Sequence, residues 1–428
     1  FQIKNKITFD SKQTQGIYNL INNKLGLLNG YPGTGKSEIL NCVCQYLETH
    51  DKSIKNISLC APTGLATNNL IERCVFDKNT TINSNLFRLI QVIYPKILIS
   101  MSYSNKDKML ELCYDKLGKT KDENELSKIQ KDIEELEYYK NKPDIIIVDE
   151  SSMINLELFA KLIHYVEQFN CRIIFVGDEN QLQPIGGGIP FYDLLNSKLF
   201  CADKLHNIFR NSGSLSKNII KMNKNIIYKH DFIDNSIQFI NINKFIKNNR
   251  INIPLFSKFI QNNNLNKDNT KFLTPQKDHL FGYNNLNILL QRVFNPTGII
   301  ITNLDSYSNY KNFRVNDYII RIVNNYEENK CMANGDTGKI VNIELNNDIE
   351  NVNIKYDKDT NVLVSTSNSE LHEEFDLSYC LSVHKSQGHG FDNIVLFISK
   401  QHNYMWKNEN SKKLLYTAIS RAKQKCII

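Results

Sequence analysis

Short runs of apolar residues alternate with amphipathic segments along most of the chain. Leu25–Asn29 is apolar enough for a short buried strand, and Glu38–Leu47 follows it with a helical pattern. Ile57–Ala61 predicts a second buried strand, and the four apolar residues Ile145–Val148 predict another. Strands that are buried on both faces occur in parallel sheets covered by helices. The pattern therefore predicts an α/β fold for the first half of the chain, to about residue 200.

Between these strands the pattern becomes helical. Thr81–Ile93 is expected to form a helix. Residues 94–142 contain a charged segment with a helical stripe of apolar side chains, which predicts an amphipathic helix inserted between two core strands. The stripe consists of Leu126, Ile129, Ile133 and Leu136.

A second half is expected to begin near Asp203. Lys271–Gln276 predicts a strand, and Tyr283–Val293 predicts a helix. From about residue 299 to residue 376, short alternating strands are separated by polar turns, with Asn334-Gly335 as a turn signal. This stretch predicts a small β-barrel-like insertion, after which strands and a helix complete the second half.

Composition and net charge exclude few classes of protein function. A chain of 428 residues has room for about two to four domains. The net charge of +7 permits an anionic partner without demonstrating one.

The ten cysteines lack the spacing of a zinc site, so we expect free thiols in a reducing, intracellular compartment. No apolar run is long enough for a membrane span, and there is no signal-peptide pattern. Because residue 1 is Phe and the chain stops inside a predicted strand, we expect either a domain cut from a longer polypeptide or a chain with trimmed disordered ends.

The segment GYPGTGKS, residues 30–37, is the strongest local signal. It matches G-x-x-x-x-G-K-[ST] at Gly30, Gly35, Lys36 and Ser37, with Gly33 as an additional glycine. The motif lies between a predicted strand and a predicted helix, where backbone N–H groups can surround a polyphosphate. Lys36 is expected to reach the phosphates and Ser37 to bind Mg²⁺. A glycine-rich turn before a helix is the alternative.

Acidic and basic residues later in the chain extend this site. Asp149 and Glu150 follow a buried strand, where one carboxylate can hold Mg²⁺ and the other can accept a proton from water. Gln181 follows the next strand and can sense a phosphate or position water. Arg210 and Arg421 can stabilise transition-state charge, with surface arginines as the alternative.

The ordered motifs resemble those of superfamily 1 helicases, specifically the RecD-like and Dda-like members of the 5′→3′ (1B) group. The motifs are GYPGTGKS, APTGLATNNL, TINS, VDESSMI, VGDENQLQPI, FLTPQ, VHKSQG and LLYTAISRAK, and they span nearly the whole chain. The resemblance implies two RecA-like P-loop NTPase domains with ATP between them, a helical insertion in the first and a small SH3-like β-barrel insertion in the second. The implied first RecA-like domain comprises residues 1–93 and 143–202, and its helical insertion comprises 94–142. The implied second RecA-like domain comprises 203–298 and 377–428, and its barrel insertion comprises 299–376.

The resemblance also implies an activity and its residues. The implied function is an ATP-dependent 5′→3′ DNA helicase that uses ATP and Mg²⁺ and acts on single-stranded DNA and on duplexes with a single-strand tail. Residues implied to bind ATP are Gln13, Gly30, Pro32, Gly33, Thr34, Gly35, Lys36 and Ser37. Implied catalytic residues are Lys36, Glu150, Gln181, Arg210 and Arg421, and implied metal ligands are Ser37 and Asp149. Residues implied to line the strand path or link it to ATP are Pro62, Thr63, Asn83, His384, Lys385 and Gln387.

Some positions depart from the family pattern. Asn83 stands where the family usually has histidine, and no glutamate lies near Gly390, where many relatives hold the ribose. Loose nucleotide selectivity is therefore expected. Asn316-Asp317 replaces the family's Gly-Asp. An RNA helicase and a non-unwinding subunit of a larger complex stay as alternatives. We expect a monomer without membrane contact, whose protein partners would be replication or repair proteins.

Overall fold

Two compact units make up the chain in the computed structural model. The first comprises Phe1–Pro62, Thr67–Glu179 and Pro184–Asn207, and the second comprises Thr63–Ala66, Asn180–Gln183 and Ile208–Ile428. Among the described residues, no helix has the length and apolar character needed to span a membrane. The described residues are 7–51, 57–62, 66, 91–92, 113–120, 122, 125–130, 133, 144–209, 217–218, 237–248, 250–301, 312–323, 334–346, 349–357, 363–399 and 409–428.

Unit 1 contains a six-stranded sheet in which every strand pairs parallel to its neighbours, in the order β3-β2-β4-β5-β1-β6. The α/β class predicted from the sequence is confirmed. The strands are β1 (Leu25–Gly30), β2 (Ile57–Ala61), β3 (Gln91–Val92), β4 (Ile145–Val148), β5 (Arg172–Gly177) and β6 (Ala202–Leu205). The helices of unit 1 are α1 (Ser11–Asn22), α2 (Lys36–His50), α3 (Leu156–Phe169) and α4 (Pro190–Ser197), with a 3₁₀ turn at Ser151–Met153.

Side chains that alternate along β4 divide the core of unit 1 into two layers. Ile145 and Ile147 pack in a cluster with Leu20 of α1 and residues of α2. Ile146 and Val148 pack in a second cluster with residues of α3 and α4. Because both faces of the strand are covered, an uninterrupted apolar run is the pattern that this position needs.

Two sequence expectations need correction at the margins of this sheet. The helix predicted for Thr81–Ile93 is wrong at Gln91 and Val92, which form strand β3 beside Cys60 and Ala61, and the rest of that range lies outside the described residues. Pairing with an existing strand outweighs the helical pattern there. The expected boundary between residues 202 and 203 falls inside β6, whose residues pair with β1, and unit 1 extends to Asn207.

The segment expected to be a helical insertion is only partly described. Residues 113–117 and 125–130 are helical. Ile129 and Ile133 of the predicted stripe are buried, with Cys113 and Leu117 packed against them. Leu136 lies outside the described residues. Packing of the stripe within the segment agrees with an amphipathic helix.

Unit 2 contains a second parallel sheet, in the order β18-β10-β19-β20-β7. Its main helices are α5 (Ile253–Asn262), α6 (Tyr283–Phe294) and α8 (Glu409–Ile419), and a 3₁₀ turn spans Ile242–Phe245. Phenylalanines dominate the core, where Phe256, Phe272 and Phe397 have ring centroids 6.0–6.4 Å apart. The strands are β7 (Ile237–Gln238), β10 (Thr270–Thr274), β18 (Cys380–Ser382), β19 (Phe391–Leu396) and β20 (Ala422–Ile427).

An antiparallel sheet, in the order β16-β15-β14-β13-β17, occupies most of the stretch where short strands were predicted. Its strands are β13 (Tyr318–Arg321), β14 (Thr337–Asn346), β15 (Ile349–Tyr356), β16 (Leu363–Ser367) and β17 (Phe375–Leu377), and helix α7 (Asn368–Glu374) precedes β17. Two-stranded ribbons lie outside this sheet, namely β8 (Ile246–Lys247) with β9 (Arg250–Ile251), and β11 (Ile300–Ile301) with β12 (Phe313–Arg314).

Turns and a buried ion pair fix the geometry of the antiparallel sheet. The predicted turn at Asn334-Gly335 is present, and Gly335 has a φ of +100°. Arg321 is 2% exposed, and its guanidinium forms an ion pair with Glu374 and lies 5.3 Å from the centroid of the Phe375 ring. A buried arginine needs such a partner, because an unpaired charge in the core is strongly unfavourable.

Asp317 joins the start of the antiparallel sheet to helix α6. Its carboxylate is fully buried and accepts hydrogen bonds from Asn295 (2.7 Å), Gln291 (2.5 Å) and the Tyr379 hydroxyl (2.9 Å). The Arg314 backbone N–H donates a further bond of 2.7 Å. The preceding Asn316 has a φ of +74°, a conformation that asparagine tolerates better than most residues with a side chain.

Replacing Asp317 by asparagine should destabilise unit 2. In Asp317→Asn one oxygen becomes an NH₂ donor that faces other donors, so we expect the free energy of unfolding to fall by about 3 kcal/mol. Urea unfolding followed by circular dichroism measures the change. The matched control is Asp278→Asn, because Asp278 is exposed and the bond that its side chain accepts from Asn284 can be kept by an amide oxygen. Equal stability of the two variants would contradict the role of Asp317.

Candidate active site

The glycine-rich loop of residues 30–37 connects β1 to α2, as the sequence predicts. Gly33 and Gly35 have φ values of +82° and +83°, which side chains rarely allow. A Cβ atom on Gly35 would lie 2.7 Å from Nε2 of Gln13, and one on Gly30 would lie 2.6 Å from Oγ1 of Thr34. The loop therefore has a backbone shape and a closeness of packing that require glycine at these positions.

Hydrogen bonds inside the loop hold its shape. Thr34 is fully buried, and its hydroxyl donates to the carbonyl of Tyr31 at 2.8 Å. The Lys36 ammonium donates to the carbonyls of Gly30 (2.6 Å) and Tyr31 (3.2 Å). Helix α2 begins at Lys36, and its N-cap, Gly35, provides no side-chain cap. A lysine and an uncapped helix start within one glycine loop are the groups that a polyphosphate needs, so these residues fit a nucleotide.

Gln13 lies against this loop from helix α1. Its Nε2 donates to the carbonyl of Thr34 at 3.0 Å, and its Oε1 accepts from the N–H of Asp10 at 2.9 Å. Asp10 in turn accepts from the N–H of Gln13 at 2.8 Å, which completes a capping box at the start of the helix. Gln13, which the motifs imply for ATP binding, thus contacts the glycine loop directly.

The acidic pair follows β4, as predicted. Asp149 is 9% exposed, its N–H donates to the carbonyl of Cys60, and its Oδ1 accepts from the N–H of Glu150 at 2.8 Å. Glu150 has a φ of +51° and precedes the 3₁₀ turn. A non-glycine residue in this left-handed conformation is strained, and such residues concentrate at functional sites.

The donor set suits a magnesium ion that arrives with a nucleotide. Within the described parts of the chain, no group of three or more His, Cys, Asp or Glu side chains could hold a metal. Mg²⁺ commonly takes only one or two protein ligands and completes its shell with water and substrate phosphates. Ser37 at the start of α2 and Asp149 at the end of β4 fit that requirement.

Gln181 belongs to unit 2 by its contacts, in the segment Asn180–Gln183. It is 3% exposed, and its Oε1 has no hydrogen-bond partner among the described residues. The next residue, Leu182, donates its N–H to the hydroxyl of Thr417 on α8 at 2.9 Å. Gln181, predicted to sense a phosphate or position water, therefore lies next in sequence to a residue that contacts the helix leading to Arg421.

Arg421 follows α8 and is only 5% exposed. Its guanidinium donates to the carbonyls of Thr417 (3.1 Å) and His389 (3.3 Å) and to the hydroxyl of Ser420 (3.0 Å). These acceptors orient a charged group that would otherwise be free to adopt many rotamers. The other predicted arginine, Arg210, lies outside the described residues.

The residues implied for the strand path divide into two groups. Pro62 follows β2, whereas Thr63 and Asn83 lie outside the described residues. His384, Lys385 and Gln387 lie together in the turn between β18 and β19. Burial lowers the pKa of His384, so its imidazole is neutral near pH 7.

Lys385 is the cation of this turn. Its Nζ lies 3.4 Å from a carboxylate oxygen of Asp376 and 5.1 Å from the centroid of the Tyr283 ring. Burial raises the pKa of Tyr283, and the charge of Asp376 adds to this effect. The long ion pair and the partial exposure of the lysine leave the ammonium able to bind an anion.

Two further residues near Arg421 had no assigned role in the sequence. Burial lowers the pKa of His389 to about 3, and the nearby charges of Lys271 and Arg421 act in the same direction. Burial likewise lowers the pKa of Lys271 to about 8, and its ammonium donates to the carbonyl of Ser378 at 2.6 Å. Only the position of His389 directly after the SQG motif could have drawn attention to it.

Comparisons with known proteins match two stretches of the chain to family models. Residues 13–187 match a family model described as AAA domain, and residues 377–428 match the UvrD-like helicase C-terminal domain. An uncharacterized protein of Methanocaldococcus jannaschii is 26% identical over 97% of this chain and 37% of its own length. The RecD subunit of the RecBCD enzyme from Buchnera aphidicola is 27% identical over 95% of this chain and 69% of that protein. The ATP-dependent RecD2 DNA helicase of Deinococcus radiodurans is 25% identical over 97% of this chain and 48% of its own length.

This chain spans only part of the length of each of these three relatives. Solved structures agree with it in fold. The Pif1 helicase from Candida albicans has a TM-score of 0.54 at 15% identity and covers 98% of this chain and 95% of that one. Pif1 helicase from Bacteroides in complex with ADP-AlF3 and ssDNA has a TM-score of 0.51 at 15% identity, with 98% and 92% covered. This likeness shows an α/β fold with a RecA-like parallel sheet. The matched family models and the RecD relatives confirm the resemblance that the motifs carry, which is to the RecD-like helicases of superfamily 1B.

Proposed function

We propose that this chain is an ATP-dependent DNA helicase that moves 5′→3′ along single-stranded DNA and unwinds duplexes that carry a single-strand tail. The observation that carries the proposal is in unit 1. A glycine loop with Lys36 follows β1, and the pair Asp149-Glu150 follows β4 in the same parallel sheet. Parallel strands present their carboxyl ends at one edge of a sheet, where ligands of such folds bind. This edge therefore combines phosphate binding with a carboxylate pair.

The chain's own residues divide the work of hydrolysis. Bound Mg²⁺ supplies positive charge that neutralises the phosphates, and Ser37 and Asp149 would hold it. The Lys36 ammonium exchanges its bonds to loop carbonyls for bonds to phosphate, together with N–H groups of the loop. Glu150 accepts the proton of the attacking water. Gln181, Arg210 and Arg421 are assigned to sensing and stabilising the charge that develops on the transferred phosphate.

The relatives support DNA as the partner. One is named an ATP-dependent DNA helicase, and two others of similar sequence or fold are named a RecBCD subunit and a Pif1 helicase bound to single-stranded DNA. Because the chain spans only part of its relatives, the activity is proposed for this motor portion. We further propose that residues 299–376, which contain most of the antiparallel sheet, form the SH3-like barrel, that 94–142 is the helical insertion, and that the remaining residues form two RecA-like domains.

The strand itself is proposed to contact the turn between β18 and β19. Lys385 supplies a cation at the carboxyl end of β18, and the ring of Tyr283 lies beneath its ammonium. Sequence-independent binding of single strands combines phosphate contacts with stacking on aromatic rings. The pair of a lysine and a tyrosine offers both kinds of contact.

The first prediction concerns the proposed general base. Glu150→Gln keeps the size of the side chain but cannot accept a proton, so single-strand-stimulated ATP hydrolysis should fall by at least about 100-fold. The affinity for single-stranded DNA should stay unchanged. Steady-state phosphate release and fluorescence anisotropy with a labelled oligonucleotide measure the two quantities.

A matched control separates chemistry from general damage. Glu38→Gln makes the same chemical change on an exposed residue in the first turn of α2 and should leave hydrolysis near that of the unmodified protein. Normal hydrolysis by Glu150→Gln would show that another residue is the base. A protein whose ATP hydrolysis does not respond to single-stranded DNA would contradict the proposed function itself.

A second prediction concerns strand binding by Lys385. Removing one phosphate contact in Lys385→Ala should raise the dissociation constant for single-stranded DNA about tenfold and lower the slope of log K against log[salt] by about 0.7. Titrations at several salt concentrations measure both. Lys258→Ala, which removes an exposed lysine from α5, is the control and should change neither. An unchanged slope for Lys385→Ala would remove this lysine from the strand path.

A further inference from the structure

We propose that the hairpin formed by β8 and β9 in unit 2 is a second nucleic-acid contact, which binds the phosphate backbone of duplex DNA. The contact surface, named the basic hairpin, consists of the exposed side chains of Lys244, Lys247 and Arg250. It lies outside every motif that is implied to bind ATP or the single strand. The inference rests on the proposed helicase function and concerns the part of the substrate that is still paired.

Two cations face each other at the end of this hairpin. Lys247 of β8 is paired in register with Arg250 of β9, and both side chains are exposed. Asn248, in the turn between them, has a φ of +52°. Like charges that lie directly opposite each other on an antiparallel pair are destabilising. Folding alone therefore disfavours this pair, whereas a bound anion would relieve the repulsion between its members.

The sequence around the hairpin supplies no acid to neutralise these charges. Residues 235–267 contain no Asp or Glu and five basic residues, which are Lys244, Lys247, Arg250, Lys258 and Lys267. Within the described part of the chain, the three side chains of the basic hairpin form no ion pair. A local excess of positive charge without internal partners is the electrostatic pattern of a surface that binds nucleic acid.

The core of unit 2 holds the hairpin in place from its other face. Ile246 pairs with Ile251, and both pack against the apolar cluster of the unit. At the base of the hairpin, the N–H of Asn252 donates to the carbonyl of Phe245 at 2.7 Å. Because side chains alternate along a strand, the isoleucine pair faces the core and the adjacent cationic pair faces solvent. The cations are therefore presented on a fixed backbone, which lowers the entropic cost of binding.

The aromatic side chains beside the hairpin favour a duplex over a single strand as its partner. Phe245, Phe256 and Phe259 pack against one another, with ring centroids 5.1–5.9 Å apart. Proteins that bind single strands without sequence preference combine phosphate contacts with stacking of bases on such rings. A duplex keeps its bases stacked internally and presents dense phosphate charge instead. Because these rings pack into the core while the cations face solvent, the surface matches the backbone of a duplex.

The topology of unit 2 separates the basic hairpin from the proposed strand contact at Lys385. The chain leaves β7 at its carboxyl end and enters the segment that contains the hairpin, while the turn with Lys385 follows the carboxyl end of β18. All pairs in this sheet are parallel, and β7 and β18 are its two outer strands. Their carboxyl ends lie at one edge, four strand spacings or about 19 Å apart. A single strand at Lys385 therefore leaves the hairpin available to the duplex.

The test removes both opposed cations and compares two DNA probes of equal length. In the double variant Lys247→Gln with Arg250→Gln, the dissociation constant for a labelled blunt duplex should rise at least about tenfold. The slope of log K against log[salt] should fall by about 1.8, because two phosphate contacts are lost. Fluorescence anisotropy at several salt concentrations measures both. The affinity for a labelled single strand, and the hydrolysis of ATP that it stimulates, should stay unchanged.

A charge-matched control separates the hairpin from net charge. Lys24→Gln with Lys258→Gln removes the same charge from exposed positions outside the hairpin and should leave duplex binding unchanged. An unchanged duplex slope in the hairpin variant, an equal loss of single-strand affinity, or an equal loss in the control would each overturn the inference. Absence of strand-stimulated hydrolysis in the unmodified protein would instead contradict the proposed helicase, since these binding measurements require no hydrolysis.

A charge reversal distinguishes binding from a structural role. Arg250→Glu places opposite charges across the hairpin, so the midpoint of urea unfolding should stay the same or rise. The dissociation constant for the blunt duplex should nevertheless rise at least about tenfold, because a cation is replaced by an anion. A lower midpoint would show that the hairpin needs this arginine for folding, and unchanged duplex affinity would show that it binds no phosphate. Either result would overturn the inference.

Discussion

The contact between a glycine loop and the start of a helix is the constraint on which the rest of unit 1 depends. A polyphosphate carries concentrated negative charge, and backbone N–H groups can surround it only where side chains are missing. Gly33 and Gly35 provide that backbone, and β1 provides a rigid base because it lies between β5 and β6 in the sheet. The apolar runs of the neighbouring strands are thus the reason that the loop has a fixed shape.

In unit 2, burial and hydrogen bonds fix the position of the Arg421 guanidinium and the protonation state of His389. The buried guanidinium of Arg421 donates to Thr417, His389 and Ser420, while burial lowers the pKa of the adjacent His389 to about 3, so that its imidazole is neutral. The neutral histidine contributes its carbonyl to the arginine without adding a competing positive charge. Because Thr417 contacts both Arg421 and Leu182, one turn of α8 connects the arginine to the segment that contains Gln181.

Much of the fold could be predicted because burial leaves a clear pattern. Ile57–Ala61 and Ile145–Val148 have the predicted bounds, since uninterrupted apolar runs are required where both faces of a strand are covered. Strand β3 was missed because two residues carry no periodicity and pairing alone determines their conformation. Helix α7 was also missed, although Ser367 and Glu370 form the S-x-x-E capping box that marks a helix start. The glycine loop and the acidic pair were found from residue type and spacing, whereas the burial of Gln13 depends on a long-range contact with Thr34 that no local pattern reveals.

The central claim is that nucleotide hydrolysis by this chain drives directional movement on a DNA strand. The most direct measurement is unwinding of labelled duplexes that carry a 5′ tail, a 3′ tail or no tail, with ATP and Mg²⁺ present and a trap for the released strand. The account predicts unwinding of the 5′-tailed duplex and little release from the other two. Unwinding that requires a 3′ tail, or hydrolysis of ATP without release from any duplex, would contradict it.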